Sequence, residues 1–498
     1  MMSILISISA IIPIVAVIIC ILCFKRNAVF SSIVGLATAG IIVIAIDSYR
    51  ISVSQLLGVL QSALILSLSA VLVIIPGLYL NGVIRGQGYI NKITNWFESI
   101  SIVPEKKALI LLLGFLPAVE SLTGFGVSMF LSVPILFKLF PSKKALKLAL
   151  LGMNIMPWGT LGLATVIGSS LIQVYPTKLG TLTSLTSFLV FPYIGLVSLY
   201  VIGGLKALLK YMSTALLLGF SLSGLLFINN YYIYTETAGV IAGTVTGLLG
   251  FYLSFSKKNQ IKSIWKNKLL KIFLPYILIL ILISVTRLIQ PLNYFITNAI
   301  VLKSHNVKFS VLSSPGIVLL VVAIILQQKQ PITVSYLQVL QKAKNACLSI
   351  TSFLILSQLM LQSGMIKNLA VTLSQHTQQA ILLMLSPFMG MISGFTTGSN
   401  VGGNALLIGV QNRIGQEWNQ GTLFAAVNNS AAGHTVFSSI PIIILVLTIV
   451  KDENIFSHFQ ANESQLLKFT LKVSIGIYIA ILLSFYAIFH INGESILF

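Results

Sequence analysis

The feature that most constrains this chain is a succession of apolar stretches, each close to the roughly 20 residues that a bilayer-spanning helix needs. They fall near residues 3–23, 29–48, 57–82, 146–174, 180–204, 211–228, 237–255, 270–288, 311–327, 343–362, 421–450 and 467–490. In hydrocarbon every backbone N–H and C=O must be satisfied within the protein, so stretches of this length fold as helices. Hydrophobic residues make up 56% of the chain and charged residues 8%, too few charges for a water-exposed surface. The expectation is an all-α polytopic membrane protein with about 12 spanning helices, multi-pass, with the lipid bilayer as its first partner. The stretch at 3–23 has no Lys or Arg before it and reads as a retained helix, not a signal peptide.

Two further apolar regions do not read as simple spans. Residues 114–126 run GFLPAVESLTGFG and residues 389–404 run MGMISGFTTGSNVGGN. Their flanks, 107–118 with 127–140 and 381–392 with 404–412, are too short to cross. Each pair is expected to form a re-entrant hairpin, near 107–140 and near 381–412. Non-helical backbone at membrane depth persists only where it is buried in protein or lines a wet cavity, and paired interruptions point to a transporter binding site.

The net charge of +21 does not indicate nucleic acid, because Lys and Arg gather in short loops between apolar stretches. With the N-terminus outside and both hairpins re-entering, 24 of the 31 basic residues fall inside, including Lys257, Lys258, Lys262, Lys266 and Lys268. Counting either hairpin as a full span would invert every later loop and spoil this positive-inside bias. Cys20, Cys23 and Cys347 lie in apolar stretches with no second pair to complete a zinc site, and read as small packing residues. No metal or other cofactor is expected.

The halves also repeat. SLTGFG at 121–126 matches MISGFT at 391–396, offset by 270, and Asn154 to Gly159 matches Asn428 to Gly433, offset by 274. In the charge scheme the copies have opposite orientation, which is an inverted repeat. The expected division is a first transmembrane repeat at 1–206, two linking helices and a Lys-rich loop at 207–269, and a second repeat at 270–498.

Of the ten acidic residues, Glu120 alone falls deep in a membrane-embedded region. A charge at mid-bilayer costs about 2.5–3.5 kcal/mol, so such a residue is by default functional, here as a proton carrier or cation ligand. The competing reading is a Glu that only ties the hairpin tip. Ser121, Thr123, Gly124 and Gly126 follow it, and the broken helix end they create suits a carboxylate. In the second interruption Thr396, Thr397, Gly398, Ser399, Asn400 and Asn404 offer neutral donors and acceptors, or else form an outward wet loop. Pro157 and Gly159 interrupt the span at 146–174 beside Asn154, and the counterpart AVNNSAAGHTVF offers Asn428, Asn429, Ser430 and His434. His434 suits proton handling, since a free imidazole titrates near pH 6.5. A lone His is more often a packing residue.

PAVESLTGFG at 117–126, TGSNVGGNALLIGVQ at 397–411, NIMPWGTLG at 154–162, AAGHTVFSSIP at 431–441 and LKFTLK at 467–472 resemble the lactate permease family of proton-coupled lactate and glycolate carriers. Asn400 stands where the family's second signature has Asp, and His434 where a later stretch has Lys, so the chain reads as a divergent member. The resemblance implies a secondary transporter of a small monocarboxylate, with a proton as its second partner, in the cell membrane. Glu120 and His434 are then the proton-coupling candidates. The substrate candidates are Ser121, Thr123, Gly124, Gly126, Asn154, Thr396, Thr397, Gly398, Ser399, Asn400, Asn404, Asn428 and Ser430.

A sodium-coupled carrier or a passive channel for another solute is the alternative within transport. An intramembrane enzyme is the competing class, because Ser430 and His434, one helical turn apart, imitate a nucleophile and base. The chain has no nucleophile elbow, no HExxH and no paired intramembrane acids, so it is not read as an enzyme. A homo-oligomer is left open.

Overall fold

The computed structural model describes residues 2–124, 126–255, 269–304, 307–452 and 462–498. The linking lysines Lys257, Lys258, Lys262, Lys266 and Lys268 lie outside the described residues. Described residues are almost wholly helical, apart from an antiparallel pair, Val301–Ser304 with Val307–Ser310. Among the described residues seven helices are long and apolar enough to cross a bilayer, and three sharply bent pairs raise the number to ten. The chain is an all-α polytopic membrane protein.

Several expected spans differ in detail. The stretch at 180–204 is divided between Pro176–Thr186 and the start of Val190–Tyr232, which is itself broken at Gly203 and Gly204. The stretch at 311–327 becomes the 15-residue helix Pro315–Lys329, and that at 270–288 turns by 87° into Gln290–Asn298. Cys23 falls beyond the end of Met2–Leu22 and is exposed, so it is not the packing residue its apolar neighbours suggested.

Both interruptions are shorter than their glycine content implied. In the second, one helix runs unbroken over Gln379–Thr397, and the backbone leaves helical geometry only at Gly398 and Ser399 before Asn400–Gln416 begins. The first arm is therefore 19 residues, not the short flank at 381–392. The arms are antiparallel: the Gln411 side-chain amide donates to the Ser386 carbonyl at 3.0 Å, and a Cβ on Gly403 would meet Ser393. In the first, a helical path with a π-turn at Leu111–Phe115 continues to Thr123, and the backbone leaves helical geometry at Gly124 and Gly126 before Val127–Leu139. This path also returns on itself. Lys107, near its start, donates to the Glu98 carbonyl at 2.9 Å, and Lys138, near its end, pairs with the Glu98 carboxylate at 2.9 Å.

Other glycines in the two interruptions serve close helix contact. A Cβ on Gly114 would strike the Gly247 backbone of Thr235–Ser254, and one on Gly394 would overlap the Ala432 backbone of Gly421–Thr435. Small residues let helices approach closely inside a membrane, where no hydrophobic force drives them together. Gly394→Val should therefore destabilise the protein by about 2–3 kcal/mol through overpacking. Gly40→Val, at a position with open space, should be nearly neutral. Thermal unfolding of the two purified proteins in detergent compares them directly.

Two bent helices complete the frame. Ser142–Leu151 joins Met156–Leu171 at 54°, and Gly421–Ser438 joins Ile440–Lys451 at 40°. The second arm of each hairpin packs against the bent helix of the other half: Val127–Leu139 against Ile440–Asp452, and Asn400–Gln416 against Gly159–Leu171. The same exchange is made twice, once in each direction.

Candidate functional site

The first hairpin tip is built around Glu120, which is completely buried. Its carboxylate accepts from the backbone N–H of Gly126 at 3.1 Å and of Ser128 at 3.2 Å, so it caps the helix that follows the break. A carboxylate at a helix N-terminus satisfies open donors and the positive end of the dipole. The anion expected from a substrate at this helix end is supplied here by the chain itself. The second tip needs no acid, because the Ser399 hydroxyl caps its helix by accepting from the Gly402 N–H.

The first tip also rests on a contorted turn. Gly124, at φ +67°, lies so close to the Thr160 hydroxyl that no Cβ could fit. Thr160, Leu161 and Gly162 are all left-handed, with φ of 52°, 57° and 70°. This is an outlying conformation for a β-branched residue, and such strain persists only where surroundings impose it. Ser121 is pressed against Gly239 with its hydroxyl unpaired, while the Thr123 hydroxyl donates back to the Val119 carbonyl at 2.7 Å. Ser121, Thr123, Gly124 and Gly126 thus shape the tip and its packing. The hydrogen bonds of Glu120 stay within this hairpin.

A second assembly joins the halves. The Asn404 side-chain amide donates to the Ala164 carbonyl at 2.9 Å and to Asn429 Oδ1 at 2.8 Å, and its oxygen accepts from Asn428 Nδ2 at 3.1 Å. Asn429 Oδ1 also accepts from Asn400 Nδ2 at 3.0 Å. Asn429 Nδ2 donates to the hydroxyls of Thr165 at 2.8 Å and Thr183 at 3.0 Å. The chain of contacts continues from Thr183 to Ser430, whose hydroxyl donates to the Thr183 carbonyl at 3.1 Å and meets those of Thr186 at 2.5 Å and Ser187 at 3.0 Å. It ends at His434 Nε2, 2.9 Å from the Ser187 hydroxyl. His434 therefore reaches Ser430 through Ser187 and not directly, which removes the nucleophile–base pairing suggested by their spacing.

The assembly gathers Asn400, Asn404, Asn428, Ser430 and His434, all buried. Burial also removes the alternative of an outward wet loop. Thr396 and Thr397 turn their hydroxyls back onto their own helix, to Ile392 and Ser393, and Gly398 packs on Pro441. Asn154 holds the first bend by donating to the Leu151 carbonyl at 2.9 Å. Thr165, Thr183, Thr186 and Ser187 are additions that the sequence did not single out. Their partners lie more than 240 residues away along the chain, so no local pattern marks them.

Several buried polar atoms in this region have no partner: the side-chain oxygens of Asn154, Asn400 and Asn428, and the Trp158 indole N–H. Buried polar groups are seldom left unpaired, which sets these atoms apart from the rest of the apolar interior. Among the described residues no group of three His, Cys, Asp or Glu could hold a metal ion.

A family model described as L-lactate permease matches residues 6–491. The chain is also similar to an L-lactate permease of Streptococcus iniae, with 24% identity over 431 residues, covering 80% of this chain and 89% of that protein.

Proposed function

This chain belongs to the L-lactate permease family, whose members are transporters and not enzymes, and from that premise we propose that it carries L-lactate or a glycolate-like monocarboxylate by proton symport, through alternating access. It is a multi-pass protein of the cell membrane. The observation that carries the reading is the buried amide and hydroxyl assembly bridging the halves, with unpaired amide oxygens and the Trp158 N–H beside it. A hydroxy acid offers both a hydroxyl donor and carboxylate acceptors to such a lining. Glu120 takes the proton. A proton moving with a carboxylate anion is electroneutral, so a pH gradient alone drives accumulation. The exchange of packing between hairpins and bent helices supports an inverted repeat, and rocking of one repeat against the other opens the site to each side in turn.

The test is L-lactate uptake into proteoliposomes under an inward proton gradient. Saturable uptake that a protonophore collapses is the expected result. Absence of uptake by folded protein would remove lactate as the substrate and send the search to other small acids. One observation favours a second reading. The unpaired oxygens of Asn154, Asn400 and Asn428 are neutral oxygen donors of the kind that ligate sodium. Uptake that needs sodium and ignores the proton gradient would select it.

A further inference from the structure

Away from the polar assembly, a cavity of about 430 Å³ lies between the first hairpin, Thr235–Ser254 and Leu274–Leu288. Its hairpin wall is Ala118, Val119 and Leu122, on the helix that carries Glu120. It follows the neighbouring helix from Val240 to Phe255, which is about 22 Å at helical rise. One leaflet's hydrocarbon is about 15 Å thick, so the cavity is long enough for an acyl chain. Thr244, Leu248 and Tyr252 line it and are exposed on the outer face of their helix, so the cavity communicates laterally with the bilayer.

Two features show that the occupant is not plain hydrocarbon. Trp96 and Tyr276 line the cavity, are more than nine-tenths buried, and leave the indole N–H and the phenol O–H unpaired. Buried Trp and Tyr ordinarily find an acceptor, and an ester carbonyl is an acceptor only. The end formed by Trp96, Phe255 and Phe273 is also basic. Lys106 donates to the Leu253 carbonyl at 3.4 Å, Lys271 is exposed on the short helix Leu269–Ile272, and Lys92 lies over the Tyr89 ring. Of the acids near this end, Glu98 is paired with Lys138 and Glu105 adjoins Lys106 in sequence.

We infer that this cavity is a binding site for an anionic glycerophospholipid. The acyl chain lies along Thr235–Ser254, the ester carbonyls accept from Trp96 and Tyr276, and the phosphate faces Lys106 and Lys271. A lipid seated there braces the helix that carries Glu120.

The test uses the full-length protein in vesicles containing phosphatidylglycerol or phosphatidylcholine with brominated acyl chains, which quench tryptophan fluorescence on contact. The component of interest is the quenching lost in Trp96→Phe. Half-quenching is expected at about a fivefold lower mole fraction of the anionic lipid, the effect of roughly one lysine's attraction at a membrane surface. Lys106→Gln with Lys271→Gln should erase that preference, and Thr244→Phe, which fills the cavity, should reduce the quenching for both lipids. Equal quenching by both headgroups in the unaltered protein means general bilayer contact and overturns the assignment. Absence of a Trp96 component means that the cavity is closed to lipid, and overturns it equally.

Discussion

Glu120→Gln protein in proteoliposomes is expected to lose proton-driven L-lactate accumulation, with the initial rate falling about 100-fold or more, the usual scale for removing a proton-transfer group. Exchange of labelled for unlabelled lactate across the same membrane should persist, because a neutral side chain of the same size leaves the substrate lining intact. The geometry explains why the two measurements separate. The carboxylate uses both oxygens, one for the Gly126 N–H and one for the Ser128 N–H. Glutamine keeps one acceptor and sets its amide N–H₂ against the other donor. It therefore cannot close the tip in the same way, and an unpaired buried N–H costs about 1–3 kcal/mol. A thermal unfolding measurement on the same protein distinguishes this structural cost from lost coupling. Accumulation that survives unchanged would reduce Glu120 to a helix cap and leave the proton carrier elsewhere, with His434 the next residue to replace.

That outcome would matter because the capping role of Glu120 and the coupling role proposed for it make use of the same contact. Ionised, the carboxylate is held by two backbone donors at the start of Val127–Leu139. Protonated, it loses charge and part of its capacity to accept. Under the proposed symport, proton transfer at Glu120 would change how firmly the tip is closed, and the tip rests directly on the left-handed turn at Thr160–Gly162.

The sequence carried the fold class because hydrocarbon leaves one local solution for long apolar stretches. It also carried the positions of the breaks, through Gly124, Gly126 and Gly398, which all have positive φ. What it overstated was the extent of the interruptions. Gly114, Gly390, Gly394 and Gly403 look like helix breakers in a linear reading, yet each sits in a helix at a point of close approach to a neighbour. A glycine's role depends on whether another backbone passes it, and composition does not record that. The amide residues at 400, 404 and 428 were legible as unusual in an apolar context. The Thr and Ser residues that complete their network were not, since hydroxyls are ordinary in membrane helices and usually bond back to their own turn, as Thr396 and Thr397 do here.

Asn429 is the residue on which this network depends most, and Asn429→Leu should have the second large effect. Its oxygen serves Asn400 and Asn404, and its nitrogen serves Thr165 and Thr183. Leucine has the same branched shape and is somewhat larger, so no cavity opens, but four hydrogen bonds disappear. Three of the partners retain another bond: Asn404 to Ala164, Thr165 to Pro157 and Thr183 to Leu179. The Asn400 Nδ2 group has no other protein acceptor among the described residues. One orphaned group together with three weakened ones gives an expected loss of about 3 kcal/mol in stability, read by thermal unfolding in detergent. Lactate uptake should fall by about 100-fold even at temperatures where the protein stays folded, because the second hairpin and the first bent helix no longer share a fixed register. A double substitution with Asn404→Leu tests the claim that these residues act as one unit. Residues within one hydrogen-bond network are not additive, so the pair should cost clearly less than the sum of the two single losses. Simple additivity, or normal uptake by the folded single variant, would mean that the assembly is only packing and that the substrate binds elsewhere.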